Sequence, residues 1–204
     1  MSIVTLNNRA LKDATAVGTT TGLGNLVFIS RSTASSSSSL SFTSGIDNTY
    51  KEYIFFINNM HGSADDTYLT FNLSADGGSN YNVTKTSTAF KAYHEEAGNY
   101  TGLRYETSDD LAQSTGYQYI GTMIANAGDD TSLSAYLHLF DPSNTTFVKH
   151  FISRCNLDTG GAETESDFVA GYCNVTAAID GVDFKFSSGN IDSGVIKMYG
   201  LSKS

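Results

Sequence analysis

Short segments in which apolar and polar residues alternate recur along the chain, and this pattern constrains the fold more than any other feature. Leu69, Phe71 and Leu73 alternate with less apolar neighbours, and the segment 182–186 (VDFKF) repeats the pattern. Alternation predicts strands with one face in a core, because successive side chains of a strand point to opposite sides. No segment carries the period of a long amphipathic helix.

About ten such segments follow one another with turn residues between them, which predicts an all-β fold. Short strands at close spacing are typical of a β-sandwich, and a jelly roll is the favoured arrangement. Residues 53–57 (YIFFI) are continuously apolar and are predicted to form a central strand buried on both faces. The predicted strands are 25–30, 53–57, 67–74, 81–94, 117–125, 131–140, 145–153, 168–175, 182–186 and 194–201.

Three connecting segments lead to separate expectations. Residues 76–80 (DGGSN) predict a hairpin turn between the strands at 67–74 and 81–94. Residues 95–114 are polar and weakly patterned, so we expect a long exposed loop of the kind that often has a function. The serine run 35–39 fits a flexible linker as well as the start of a strand.

Residues 1–24 differ from the rest of the chain in composition. They contain small residues and three glycines, show no sustained periodicity, and offer at most one helical turn over 8–13. We therefore predict an N-terminal arm over 1–24, followed by the sandwich domain over 25–204. An arm of this kind is either a disordered terminus or a segment that docks on a neighbour.

The acidic balance of the chain limits its partners. A net charge of −9 at pH 7 repels phosphate backbones and anionic membranes, so we expect no binding to nucleic acid. No segment reaches the roughly 18 apolar residues of a membrane span. The first residues lack the basic and apolar regions of a secretory signal. We therefore expect no membrane insertion, and synthesis and folding in a cytoplasm.

The cysteines and two of the histidines lie in predicted strands. Cys155 and Cys173 could lie opposite each other if their strands form a hairpin. A reducing site of synthesis nevertheless favours two buried thiols over a disulfide. His138 and His150 could approach each other across the turn at Asp141, but no spaced set of His and Cys ligands accompanies them. A structural contact is therefore favoured over a metal site.

No motif in the chain selects a catalytic residue, so we expect neither an enzyme nor a cofactor. Pairs of acidic residues occur in several predicted turns, and carboxylates in turns can bind calcium. Asn126 with Asp129 and Asp130 is the strongest of these combinations. Solvated turn residues are the simpler interpretation, and we predict no metal site.

Aromatic residues are the more informative signal. Phenylalanines mostly fall on strand faces and are predicted to form the core. Several tyrosines lie beside polar loops, where a flat ring with a hydroxyl suits a sugar or protein surface. Packing at strand edges is the alternative role for these residues. The candidate binding residues are Tyr93, Tyr100, Tyr105, Tyr117 and Tyr119.

Three stretches, together with the opening SIVTLNNRALKD, resemble a known group of proteins. They are 42–61 (FTSGIDNTYKEYIFFINNMH), 137–154 (LHLFDPSNTTFVKHFISR) and 177–202 (AAIDGVDFKFSSGNIDSGVIKMYGLS). The chain resembles small, tail-fibre-like structural proteins of the virions of marine tailed bacteriophages, such as cyanophages. The similarity extends over most of the chain and includes no catalytic signature.

The resemblance implies a component of the virion, made in the cytoplasm of the bacterial host. We expect a tail-fibre or receptor-binding protein whose N-terminal arm binds other virion proteins. Its loops would meet a glycan or protein of the host surface. By analogy with fibre and spike proteins, the resemblance also implies self-association as a homotrimer.

Two other functions compete with this expectation. A head fibre or capsid decoration protein would use the same fold to extend or cover the shell. A depolymerase acting on host polysaccharide would need a groove with paired acids, and nothing in the chain selects such a pair.

Overall fold

The structure describes residues 26–124, 131–201 and the short segments 16–17 and 20–21. Two large antiparallel β-sheets make up the sandwich, and the two short segments pair as a separate two-stranded sheet. The computed structural model thus confirms the predicted all-β sandwich, while the jelly-roll arrangement stays a prediction. No helix in the described part of the chain is long and apolar enough to cross a membrane.

The strands have the following bounds and order. The larger sheet has eight strands in the order β3-β14-β5-β10-β11-β12-β7-β8, and the smaller has four in the order β4-β13-β6-β9, with labels assigned along the chain. These are β1 (Ala16–Val17), β2 (Thr20–Thr21), β3 (Leu26–Thr33), β4 (Leu40–Phe42), β5 (Glu52–Gly62), β6 (Thr67–Ser74), β7 (Lys85–Glu95), β8 (Thr101–Tyr105), β9 (Gln118–Ile124), β10 (Leu133–Phe140), β11 (Lys149–Asp158), β12 (Glu163–Cys173), β13 (Gly181–Phe186) and β14 (Ile191–Leu201).

A trio of phenylalanine rings joins the two sheets at the centre of the core. Phe55 of β5 lies 5.3 Å from Phe42 of β4 and 5.5 Å from Phe184 of β13, measured between ring centroids. Phe71 of β6 and Phe151 of β11 make a second contact between the sheets at 5.2 Å. Full burial of each such ring is worth about 1.5–3 kcal/mol, so these contacts stabilise the sandwich strongly.

The smaller sheet covers only part of the larger one, and polar groups fill the uncovered end. Lys91 of β7 is buried and lies 3.1 Å from Glu165 of β12 and 3.4 Å from Glu106. Although burial alone would lower the pKa of Lys91, the hydrogen bond and charge of Glu165 raise it overall. Burial raises the pKa of the nearby Asp109. The segment after β8 therefore closes this end with paired charges.

The segment 95–114 is mostly exposed, as expected, but the expectation of a long loop is wrong. Residues 101–105 form β8, which pairs with the end of β7 as an edge strand. The chain then returns along the start of β7, where Lys85 N donates to Ser114 O at 2.8 Å. Ser87 N donates to the carbonyl oxygen of Leu111 at 2.9 Å. Backbone pairing, which needs no apolar side chain, therefore orders a segment whose side chains show little pattern.

The turn at 76–80 is not a hairpin turn. Asp76 organises it by accepting hydrogen bonds from the backbone and side chain of Asn80, at 2.9 and 2.7 Å. The strand before it, β6, belongs to the smaller sheet between β13 and β9, whereas β7 belongs to the larger sheet. The segment therefore crosses from one layer to the other, because turn chemistry does not determine which strands pair.

Two other expectations need correction. The strand at 53–57 lies centrally in its sheet, as predicted, but only one face is fully buried, since Ile54 and Phe56 are half-buried. The serine run 35–39 is neither a flexible linker nor the start of a strand. Ser37 exchanges two backbone hydrogen bonds with Ile191 of β14, at 2.8 and 2.7 Å, and so the run packs along the sheet edge.

The cysteines are free and buried, which confirms the interpretation as thiols. Cys155 lies opposite Asp167, whereas Cys173 lies opposite Lys149 at the other end of the same strand pair. Asp167 and Cys173 are six residues apart along β12, which corresponds to roughly 20 Å. A disulfide requires Cα atoms within about 7 Å, so Cys155 and Cys173 are too far apart to form one.

His138 and His150, which were predicted to approach each other, lie on the neighbouring strands β10 and β11 in diagonal rather than directly opposite positions. His138 is opposite Ile152, and His150 is opposite Phe140. His138 Nε2 lies 2.8 Å from Glu52 Oε2, and its ring packs 3.9 Å from that of Phe140. These contacts fit the structural role proposed for His138.

Lys149, at the start of β11, is almost fully buried and forms hydrogen bonds to two of the segments that connect strands. Its Nζ donates to the carbonyl oxygens of Asn144, Val175 and Ala177, at 3.2, 2.9 and 2.5 Å. Asn144 lies between β10 and β11, and the other two lie between β12 and β13. Burial lowers the pKa of this ammonium group, and three carbonyl dipoles satisfy it.

The predicted arm overlaps the described residues only at β1 and β2, which pair with each other over two residues each. The helical turn predicted over 8–13 and the candidate cation site at Asn126, Asp129 and Asp130 lie outside the described residues. The boundary between arm and sandwich stays a prediction.

Neither thiol should react in the native protein. Burial raises the pKa of Cys173 to about 11 and that of Cys155 well above its usual value, so little reactive thiolate forms. Alkylation with iodoacetamide, followed by mass spectrometry without reduction, should show no label in native protein and two labels in denaturant. A denatured, unreduced chain without label would indicate a disulfide and contradict the structure.

Phe184→Ala should lower the free energy of unfolding by about 3–5 kcal/mol, because it leaves a cavity between the sheets. The matched control is Phe147→Ala, since Phe147 is 69% exposed and its truncation should cost within about 0.5 kcal/mol. Urea unfolding monitored by circular dichroism measures both values. Equal losses in the two variants would contradict the assigned core.

Candidate binding face

The outer face of the larger sheet is defined here as the side chains that point away from the smaller sheet. One row of this face runs in register through all eight strands, from β3 to β8. Directly opposite residues in neighbouring strands place their side chains on the same face, so the row is continuous. Its members are Arg31, Lys197, Phe56, Tyr136, Arg154, Phe168, Phe90 and Tyr105.

Large apolar side chains are exposed on the outer face. Phe28, Ile152, Phe90 and Tyr136 are exposed to 53, 45, 42 and 36%. Phe90 stacks on Phe168 with ring centroids 4.8 Å apart and planes inclined by only 2°. Phe90 and Phe168 support each other, and no other part of the described chain covers these side chains, so the face presents preformed, flat aromatic surface.

Cations lie among these rings. The guanidinium carbon of Arg154 is 4.7 Å from the centroid of Phe168, within the range of a cation–π contact. Arg31 and Lys197 occupy the other end of the row, directly opposite each other. The row contains no acidic residue, although the chain as a whole carries a net charge of −9. This row is therefore locally basic on an acidic molecule.

The size of the outer face matches that of a stable protein interface. Eight strands about 4.8 Å apart, and about eight residues long at roughly 3.3 Å per residue, cover roughly 1,000 Å². A standard interface takes about 800 Å² from each partner. A shallow depression of about 220 Å³ lies among Phe90, Ile152, Arg154 and Phe168 on this face.

The five candidate tyrosines divide between the two sheets. Tyr93 and Tyr100 stack at the β7–β8 edge, with centroids 4.9 Å apart and hydroxyl oxygens 3.1 Å apart. Arg104 lies 5.8 Å from the centre of the Tyr93 ring. Gly102 makes this stack possible, because a Cβ there would lie 2.2 Å from the Tyr93 hydroxyl.

The other three candidates are held by internal contacts. The Tyr105 hydroxyl donates to Asp110 at 2.5 Å, and the ring belongs to the central row of the outer face. Tyr117, at the smaller sheet, donates to Asp183 at 2.9 Å. Tyr119 stacks on Tyr68 at 4.5 Å. The structure thus groups Tyr93 with Tyr100 and separates both from Tyr117 and Tyr119.

The phenylalanines of the outer face were not identified from the sequence. Only six of the 12 phenylalanines are in the buried core, so the prediction that they mostly form the core is wrong. One sequence pattern indicates such residues: apolar side chains at both odd and even positions of the same strand, as with Phe55 and Phe56 of β5. Such a strand has apolar groups on both faces, and this sandwich covers only one of them.

Comparison with known proteins adds no relative. No protein-family model, no curated protein and no solved structure matches the chain.

Proposed function

We propose that this chain is a structural protein of a bacteriophage virion, most specifically a tail-fibre or receptor-binding component that works as a self-associating module. The observation that carries the self-association is the outer face, which is large, flat and aromatic and is not covered by any of the described residues. Exposed apolar patches on monomers rarely exceed about 300–600 Å², and larger ones mark contacts with other molecules. The phage assignment rests on the sequence resemblance.

Charge favours a ring of copies over a two-fold dimer. In a two-fold contact the same patch meets itself, so the positive charges of Arg154, Arg31 and Lys197 from both copies would be gathered in one interface. A ring joins one patch to a different patch on the next copy. The excess of acidic residues elsewhere on the chain offers a complementary surface for the basic row. This argument supports a closed ring built through the outer face, and the analogy with fibre proteins supplies the proposed number of three copies.

The edge of the sheet supplies the proposed contact with the host. Tyr93 and Tyr100 present a stacked pair beside Arg104 on an edge strand, away from the centre of the outer face. Flat rings next to hydroxyls and a guanidinium suit the faces and oxygen atoms of sugars. We therefore assign this edge to a surface glycan of the host, with a host protein as the other candidate.

Ile152→Glu should separate the copies, because it places a carboxylate in the apolar centre of the contact. Light scattering at micromolar concentration should give the mass of three chains for the natural protein and of one for the variant. Loss of a central contact of this kind weakens association roughly 30- to 1,000-fold, corresponding to about 2–4 kcal/mol.

Phe147→Glu is the control for this experiment. Phe147 is exposed but lies in the connection before β11, outside the outer face, so the variant should remain a trimer. A natural chain that is monomeric at these concentrations would contradict the self-association. Equal effects of both substitutions would contradict the proposal that the copies associate through the outer face.

Deleting residues 1–24 should leave the sandwich folded but prevent incorporation into particles. The sheet pairing starts at Leu26, which lies opposite Leu201, so no strand of the two large sheets is lost. Circular dichroism checks the fold, and purified particles probed by immunoblot check incorporation. Unfolding of the truncated chain would contradict the domain boundary, and normal incorporation would place the attachment site on the sandwich.

Antibody labelling of intact particles tests the proposed location. Label at the tail supports a fibre or receptor-binding role, whereas label over the shell supports a head fibre or decoration protein. Particles without label contradict both.

A further inference from the structure

Lys85 occupies an unusual environment where β6 and β7 approach each other. It is fully buried, and its Nζ contacts Asn72 Oδ1 and donates to Val83 O at 2.8 Å. Within the described residues it forms no salt bridge to a carboxylate. Burial lowers the pKa of this amine to about 8, so a minor fraction of it is neutral near neutral pH.

The carboxamide of Asn72 is held in one orientation. Its Nδ2 donates to the carbonyl oxygens of Tyr81 and Thr115, at 2.6 and 3.0 Å, so the amide nitrogen faces two acceptors and the oxygen faces Lys85. Asn72 is fully buried, and water has no access to compete with the amine. A nucleophile and a carbonyl carbon are therefore held next to each other in a dry site.

An acid lies beside this pair. Asp183 of β13 is directly opposite Asn72 in the antiparallel ladder, which places both side chains on one face of the smaller sheet. Asp183 is buried and accepts hydrogen bonds from Ser41 at 2.5 Å and Tyr117 at 2.9 Å. These donors fix the orientation of the carboxyl group in the strand position opposite Asn72.

The other fully buried lysine provides a comparison. Lys149 donates to three backbone carbonyls, which an amine cannot attack without breaking the chain. Lys85 contacts a side-chain amide whose nitrogen can leave as ammonia. The two sites bury the same group, but only that of Lys85 brings it to a reactive partner.

We propose that Lys85 and Asn72 form an intramolecular isopeptide bond that joins the two sheets. The neutral amine attacks Cγ of Asn72, the Nζ–Cγ bond forms and the Cγ–Nδ2 bond breaks. The nitrogen of Asn72 leaves as ammonia with the proton that Nζ gives up, and Asp183 relays this proton. The reaction consumes no oxidant or other reactant, and it removes the buried charge of Lys85.

A tryptic digest of the denatured natural chain tests the bond directly. Trypsin cleaves after free Lys51, Lys85 and Lys91, but not after an acylated lysine. The cross-linked chain should yield the peptide 52–91, lighter than its sequence mass by one ammonia. Separate peptides 52–85 and 86–91 as the main products would overturn the proposal. Cyclisation of an asparagine to a succinimide also loses ammonia but leaves Lys85 cleavable.

Substitutions at Asn72 test whether its side chain is the one joined to Lys85. Asn72→Asp should give the same joined peptide, lighter by one water instead of one ammonia, because hydroxide then leaves from the carboxyl group. Asn72→Ala should restore cleavage after Lys85. A joined peptide in Asn72→Ala would place the bond elsewhere and overturn the assignment.

Asp183→Asn tests the proton relay. The variant should keep its β-sheet circular dichroism and cleave normally after Lys85. Asp192→Asn is the matched control, because Asp192 contacts exposed Ser36 at 3.0 Å, away from the pair, and it should remain cross-linked. A fully cross-linked Asp183→Asn chain would overturn the role of Asp183.

Discussion

The contact among Phe42, Phe55 and Phe184 holds together two sheets of unequal width, and most other features follow from that inequality. Eight strands cannot be covered by four, so the excess surface must be satisfied in other ways. At the β7–β8 end, ion pairs and the returning segment 106–117 close the inner side. On the opposite side of the larger sheet, aromatic and basic residues remain open to a partner.

The positions of the strands could be predicted from alternation alone. For several strands, alternation also identified which side chains point into the core. Leu69, Phe71 and Leu73 are in the core as the pattern requires. Alternation states which residues share a face, but not whether another layer covers that face. For this reason the outer face was missed, although its residues are apolar. Strand order could not be predicted either. Where the chain passes from one sheet to the other depends on long-range packing, and the residues of a local turn do not determine it.

The candidate site was predictable only in part. Tyr93 and Tyr100 were selected because they lie beside polar residues, and the structure stacks them through a short edge strand that has no sequence pattern. Lys85, Asn72 and Asp183 carry no motif, because three distant positions meet only after the two sheets associate. Buried charge is the common feature: Lys91 is met by carboxylates, Lys149 by carbonyls and Lys85 by an amide.

The ammonium group of Lys149 has a consequence for how this end of the molecule opens. Its three acceptors belong to two connections, and Ile179 N also donates to Pro142 O between the same two segments, at 2.8 Å. If either connection moves away, a buried cation loses part of its coordination before water can replace it. The two segments therefore share one opening transition, and their amide hydrogens belong to a single cooperative unit of exchange.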